Sequence, residues 1–496
     1  MTLTGLIIAV IPGLSSIGDT IPITTRLNEV EVSADKASTE SVISIDPSSL
    51  KAIGNAGESI EGVIRTLAGV AGSDELSSQY SVRGGNFDEN LLVINSFEIY
   101  RPQLARSGQQ EGLSAINPDM VQNVEFSAGG FGASDGDKLS SVLRLSYGIP
   151  IGSEVKNRIR LGSYSGRLFL SYRKLKKFEK KTYSNGGLAI RYRSNSPFIN
   201  TGDTRGDLNS ISYDIQWIEN IFNGKWHHEF LGIAQSSDFT LKPNSRATEF
   251  GTVTDVLRLN VFMKGQESYV YSNAFLGWRS SYQVNDKFKA FIEGSAIQAL
   301  ETEDVDVISA YLLGEVNNNL GSDDFGEISY QRGSGGHHRY ARNHLFARES
   351  HLSIGGLINT NNSSISFALG IREQLGVDQL YEWVNIDSAG YSIPHMPTEV
   401  LLLENDTLMQ FKETLELFQL TNSSGELRNF KTYGFYRHRF INNEDNPTWS
   451  LDGGLRVIHD SRSGELRLSP RFSFRHWAIN GTVWDLKIGS YAQTAS

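Results

Sequence analysis

The sequence predicts a mainly β protein, with an N-terminal α+β domain followed by a long run of antiparallel strands. Three observations predict this. Glycine (48 residues) and aromatics (10%) are abundant, while a hydrophobic fraction of 39% is too low for a bundle of membrane helices. Apolar residues at helical spacing occur near residues 60–67, well ahead of the long stretch after about Tyr147, where they alternate with period two. At 496 residues the chain exceeds what one ordinary core serves, although a large barrel can be a single unit.

Residues 1–27 read as irregular, because Pro12 and Pro22 interrupt regular structure. The apolar run 6–11 has no Lys or Arg before it and is stopped by Pro12, so it makes a poor secretory signal. Residues 27–36 form a short alternating strand, with Val30 and Val32 pointing one way and Glu29 and Glu31 the other. Ile60, Val63, Ile64 and Leu67 share one face of a short helix, and Gly69 stops it. Residues 80–83 read as a strand ending at Gly84 and Gly85. An Asn-Phe-Asp-Glu turn and a second strand, 91–94, come next. Residues 100–113 are polar and basic without a period. The strand 121–126 follows, and Gly129, Gly130 and Gly132 then allow a tight passage.

Beyond Tyr147, Ile211, Tyr213, Ile215 and Trp217 alternate with Ser212, Asp214 and Gln216, and an Asn223-Gly224 turn leads into a return strand from Trp226. Ile365, Phe367, Leu369 and Ile371 repeat the pattern, as do Trp484, Leu486 and Ile488. One apolar wall and one wet wall explain the period, and a soluble sandwich shows the same period. Trp217, Trp226, Trp278, Tyr282 and Trp477 near strand ends suit interface girdles. At about 25 residues per strand and connection, this segment holds on the order of 14 strands of roughly ten residues.

Several kinds of chemistry are excluded. With no cysteine there are no disulfides, thiolates or Cys-linked lipids. A net charge of −10 argues against nucleic acid. No P-loop, HExxH, GxSxG or dinucleotide fingerprint sits in a supporting context, so no enzymatic activity and no cofactor are expected. His227 and His228 are adjacent on a strand and point to opposite faces. His337-His338 in a Gly-Ser-rich loop, the acids Glu301, Glu303, Asp304 and Asp306, and the pair Asp323-Asp324 read as solvated loop residues, so no metal site is expected.

The segments SVRGGNFDENLLVINSFEIYRP, GLSAINPDMVQNVEFSAGGF and GDKLSSVLRLS resemble the plug domain of TonB-dependent outer-membrane receptors, with GGNFDEN and RSGQQEGLS resembling the Bacteroidetes type. The resemblance covers residues 28–147. It departs from the family pattern at Ala68, where proline is usual. It departs again at Ser134-Asp135-Gly136 in place of Arg-Tyr-Gly, and at Arg144 in place of an acid, so charge changes sign at two places.

The resemblance implies an irregular segment 1–27, a TonB-box-like strand and plug at 28–147, and a transmembrane β-barrel at 148–496 in the outer membrane of a Gram-negative bacterium. A plugged transporter barrel has about 22 strands, so the expectation is a barrel incomplete at its C-terminus, with residues 1–20 either part of a truncated upstream domain, the reading the missing basic n-region favours, or a signal peptide. Asn28, Glu29, Val30, Glu31 and Val32 become the candidate strand for the TonB C-terminal domain, which would pair with it through main-chain hydrogen bonds. Arg83, Gly84, Gly85, Gly129 and Gly130 become structural plug residues, with Arg83 calling for acidic partners. Glu75, Asn86, Phe87, Asp88, Arg101 and Arg106 become ligand-contact candidates on the plug apex. The implied function is TonB-energised uptake of a scarce iron chelate, cobalamin, glycan or peptide. The implied partners are outer-membrane lipid, a small-molecule or oligomeric ligand and a surface lipoprotein. The rival readings are a surface adhesin or structural barrel without transport, and a secreted carbohydrate-binding β-protein.

Overall fold

Short apolar segments separated by glycine-rich turns open the chain, and in the computed structural model they assemble into a small α+β domain. The structure describes residues 32–34, 42–45, 59–72, 78–100, 113–148, 157–177, 182–194, 206–252, 255–386, 415–443, 447–478 and 481–493. Strands β1 (Val32–Ala34), β2 (Ile43–Ile45), β5 (Asn90–Ile94), β6 (Phe97–Glu98), β7 (Val121–Ser127) and β8 (Ser141–Tyr147) form a sheet in the order β1-β2-β7-β8-β5-β6. Its one parallel pair is β5 with β8, which explains why β5 reads as an unbroken buried run: both faces are covered. Helix α1 (Ile60–Ile64) starts at Ser59, whose side chain accepts from the Gly62 N–H, and it buries Ile60, Val63 and Ile64 against the sheet. Gly69, expected to stop the helix, lies at φ +79°. Strands β3 (Val70–Ala71) and β4 (Ser81–Val82) make a minor ladder.

The remaining strands form one antiparallel sheet. They are β9 (Arg158–Leu161), β10 (Ser165–Lys177), β11 (Thr182–Ser194), β12 (Gly206–Asn223), β13 (Trp226–Pro243), β14 (Arg246–Gly251), β15 (Val256–Gln283), β16 (Phe288–Val316), β17 (Ile328–Asn359), β18 (Ser363–Ile386), β19 (Glu416–Ile441), β20 (Trp449–Asp460), β21 (Leu466–Trp477) and β22 (Val483–Gly489). Neighbours in sequence are neighbours in space, except that β14 folds back on β15 alone. The 14 strands match the number expected, but the expected length of about ten residues is too short. β15, β16 and β17 run for 28, 29 and 32 residues, far past the 9–11 needed to cross a bilayer. Pairing continues beyond the apolar band, and two expectations change with it. His337 and His338 lie within β17, and Glu301, Glu303, Asp304 and Asp306 lie within β16; neither group is in a loop.

The side-chain alternation decides between membrane barrel and soluble sandwich. On β12 the polar Ser212, Asp214 and Gln216 are 1%, 2% and 0% exposed, while Tyr213 and Ile215 are 56% and 45% exposed. A sandwich buries its apolar face, and here the apolar face points out. Leu276, Leu352, Ile354, Leu369, Leu468, Leu486 and Ile488 continue the outward apolar band. The Gly224-Lys225 connection, with Gly224 at φ +63°, shares one rim with the short turns 284–287 and 360–362.

The polar inner face surrounds the N-terminal domain, and the two share one core: Phe97, Ile94 and Phe126 belong to the same buried cluster as Phe169, Leu231, Ile233, Phe275 and Ile297 of the wall. Phe97 meets Phe275 edge-on at 5.9 Å and fills the space where a Cβ on Gly277 would stand, 2.8 Å from its ring. Phe97→Ala is expected to destabilise the docked domain by about 3–5 kcal/mol, read as a lowered denaturant midpoint of the detergent-solubilised protein.

Candidate functional site

The inward polar residues converge on the loops of the N-terminal domain, and arginines do most of the holding. Arg191 on β11 sits opposite Asp214 on β12 in the strand register, and its Nε lies 2.9 and 3.1 Å from the two carboxylate oxygens. Its remaining donors reach across the gap to the carbonyls of Ile116 (2.8 Å) and Ser114 (2.7 Å). Gln216 donates to the Ala115 carbonyl (2.9 Å) and Gln235 to that of Leu113. Below them, Arg160 donates to the Asp119 carboxylate (2.9 Å) and Arg158 to its carbonyl (2.8 Å). The segment 113–119 is thus fixed by side chains from β9, β11, β12 and β13.

The far wall repeats the device. Arg437 on β19 grips Asp452 on β20, Nε to oxygen 2.9 and 3.0 Å, and sends another donor to Ser134 Oγ at 3.2 Å. Arg456 reaches the Ser134 carbonyl (3.3 Å), and Arg471 reaches those of Gly132 and Asp135 (2.5 Å each). These guanidinium groups lie flat on the loop. A Cβ on Gly132 would sit 2.3 Å from Arg437 Cζ, and one on Gly136 would sit 2.0 Å from Arg456 Nε. A side chain at either position would have to push the guanidinium off the loop.

Between the two grips, Arg372 of β18 pairs with Glu98 of β6, with Asp137 at 3.6 Å and with Glu349 of the wall at 3.6 Å. Burial alone would raise the Glu98 pKa, but Arg372, Arg456 and His351 outweigh it and hold the carboxyl at about 2. A cavity of about 600 Å³ opens beside this cluster, between Ser44, Glu98 and Glu125 on one side and Arg279, Glu293 and His351 on the other.

The structure treats the residues singled out from sequence unevenly. Residues 28–31, Glu75, Arg101 and Arg106 lie outside the described residues. Val32 opens β1, at the outer edge of the domain sheet. Gly84, Gly129 and Gly130 have φ of +83°, +89° and +65°, and a Cβ on Gly85 would meet Ser140 Oγ at 1.9 Å. Arg83 itself takes φ +51°, is exposed, and makes no ion pair among the described residues, although acidic partners were expected. The left-handed turn lays its guanidinium along Gly129. Asn86 caps a 3-10 turn, Phe87–Glu89, and Asp88 accepts from Gln493 (3.2 Å), so it is tied to the wall. The two changes of charge sign answer each other: Asp135 and Arg144 form an ion pair. Sequence reasoning missed the arginine grips and the cavity, whose partners lie tens to hundreds of positions apart. Alternating Arg and Asp on the wet face of neighbouring strands was the available signal.

Residues 34–141 match the family model of the TonB-dependent receptor plug domain. No curated protein sequence matches the chain. Among solved structures, BauA, the ferric preacinetobactin receptor from Acinetobacter baumannii, aligns with a TM-score of 0.52 at 10% identity, over 90% of this chain and 62% of that one. A mutant of the ferric enterobactin receptor PfeA from Pseudomonas aeruginosa aligns at 0.49 and 15% identity, over 90% of this chain and 61% of that one. This chain therefore spans less than two thirds of the length of either receptor. A polar-lined antiparallel wall, apolar outside and wrapped around a small α+β domain, defines a plugged outer-membrane β-barrel protein. Residues 34–141 are thus a TonB-dependent receptor plug domain, and the wall around it has the fold of the receptor BauA.

Proposed function

We propose that this chain takes up a scarce ligand through its plugged bore, with TonB supplying the pull through the segment Asn28 to Val32. One observation carries the reading: β1, which begins at the last residue of that segment, is the outermost strand of the plug sheet and pairs with β2 through three residues. The remainder of the plug is bound to the wall by buried arginines. A pull from the N-terminal side therefore acts first on the least secured strand. Extended segments of this kind join a partner sheet through main-chain hydrogen bonds. The iron chelate is the first ligand class to test, because BauA, whose fold is shared, is a ferric preacinetobactin receptor.

The chain has no native cysteine, so Val30→Cys introduces a unique thiol. Disulfide trapping against a TonB C-terminal domain carrying single cysteines is expected to give a crosslink that ferric chelate increases. Uptake that persists in cells with no crosslink formed would rule the energised reading out.

A further inference from the structure

The outer face of the wall carries a groove that the plug mechanism does not use. It occupies about 540 Å³ over β18–β21 and is lined by Leu369, Gly434, Tyr436, Leu455, Val457 and Leu466. The register explains it. Leu369, Gly434 and Val457 stand side by side on three neighbouring strands, so the middle strand contributes no side chain between two apolar ridges. Leu369 leans into the gap, its Cδ2 2.8 Å from where a Gly434 Cβ would be. One step toward the rim away from the short turns, Thr432 is opposite His459. From Tyr436 to Thr432 the groove runs about 13 Å along the strand, close to one leaflet of a hydrocarbon core about 30 Å thick.

His459 lines the rim end of the groove, and Arg462, also exposed, is three residues further on, in the turn that follows β20. The Arg462 backbone N–H is held by Asp460 Oδ1 (2.9 Å), and its guanidinium makes no ion pair among the described residues. We infer that the groove holds one acyl chain of an anionic membrane lipid, with the phosphate of its head group against His459 and Arg462. The surrounding band of exposed Leu369, Leu455, Leu466 and Leu468 places the groove in hydrocarbon, so its occupant is a lipid chain, and the charge at its mouth selects the head group. The inference rests on the wall standing in lipid.

The test is native mass spectrometry of the full chain, equilibrated in micelles with equal amounts of dimyristoyl phosphatidylglycerol and dimyristoyl phosphatidylcholine. The expected result is one retained phosphatidylglycerol per chain. Val457→Trp, which fills the groove, lowers retention roughly tenfold, the worth of about two buried methylene groups. Arg462→Ala with His459→Ala leaves retention in place but removes the preference for the anionic lipid. Thr432→Phe serves as a second filling variant if Val457→Trp does not fold, as judged by heat-modifiable electrophoretic mobility. Equal retention by folded wild-type and filled variants, or no retained lipid in the wild type, would overturn the inference. Recovery of the chain without detergent would instead overturn the membrane placement beneath it.

Discussion

Arg191→Ala is expected to loosen the plug while leaving the barrel assembled. The substitution strands a buried carboxylate, since Asp214 has its oxygens 2.9 and 3.1 Å from the Arg191 Nε, and it removes the donors that hold the Ile116 and Ser114 carbonyls. Breaking a buried pair by deleting one partner costs about 3–5 kcal/mol. The loss falls on the plug–wall contact, because the β11–β12 ladder keeps its backbone bonds on either side. Planar-bilayer recordings should show frequent large-conductance openings in the variant and rare ones in the wild type. Arg191→Lys keeps the charge but not the forked geometry, and its openings should fall between the two. A closed Arg191→Ala channel would show that the contacts of Gln216, Gln235, Arg158 and Arg160 hold 113–119 without Arg191.

The second large effect is acid release of the Glu98 contact. Its carboxyl is held at about 2, below its ordinary 4.5, so the native state favours the ionised form. The contact therefore contributes fully above pH 4.5 and is lost progressively as pH falls from 4.5 toward 2, for a total of about 3 kcal/mol. Hydrogen exchange of peptides covering β5 and β6, followed from pH 7 downward and corrected for intrinsic rates, should show protection falling through that window. Glu98→Gln should be less protected than wild type at pH 7 and converge with it near pH 2. Parallel curves at all pH values would mean that the Arg372 pairing adds nothing to plug retention.

Much of this architecture was legible from residues alone. Alternation at 211–217 separated an apolar face from Ser212, Asp214 and Gln216, and an allowance of about 25 residues per strand and connection gave the number of strands. The helix face of Ile60, Val63 and Ile64 was an equally local signal, but the helix ends at its C-cap Arg65, ahead of the expected stop at Gly69, and leaves Leu67 outside. Strand length was not, because a paired strand continues wherever its neighbour does, and residues such as His338 look like loop residues until Asp306 and Trp383 stand beside them. The site was harder still. A wet inner wall tolerates almost any polar residue, so nothing local distinguishes Arg191, which grips the plug, from an arginine that meets only water. The compensation of Asp135 by Arg144 was likewise hidden, since each departure alone looks like a lost charge.

The ladder lengths within the plug sheet grade its resistance to mechanical load. A tug ahead of Val32 meets two seams of three residue pairs each, β1 with β2 and then β2 with β7. Past Ile45 the load passes along the chain to helix α1, whose Ile60, Val63 and Ile64 are packed into the core shared with the wall. Rupture should therefore stop at that helix, and the parted seam would vacate a slot beside Ser44 and Glu125, where open space already adjoins the wall. Under such a load the seam would work as a fuse: a thin ribbon would peel off, a side passage would widen, and the greater part of the stopper would stay in its seat.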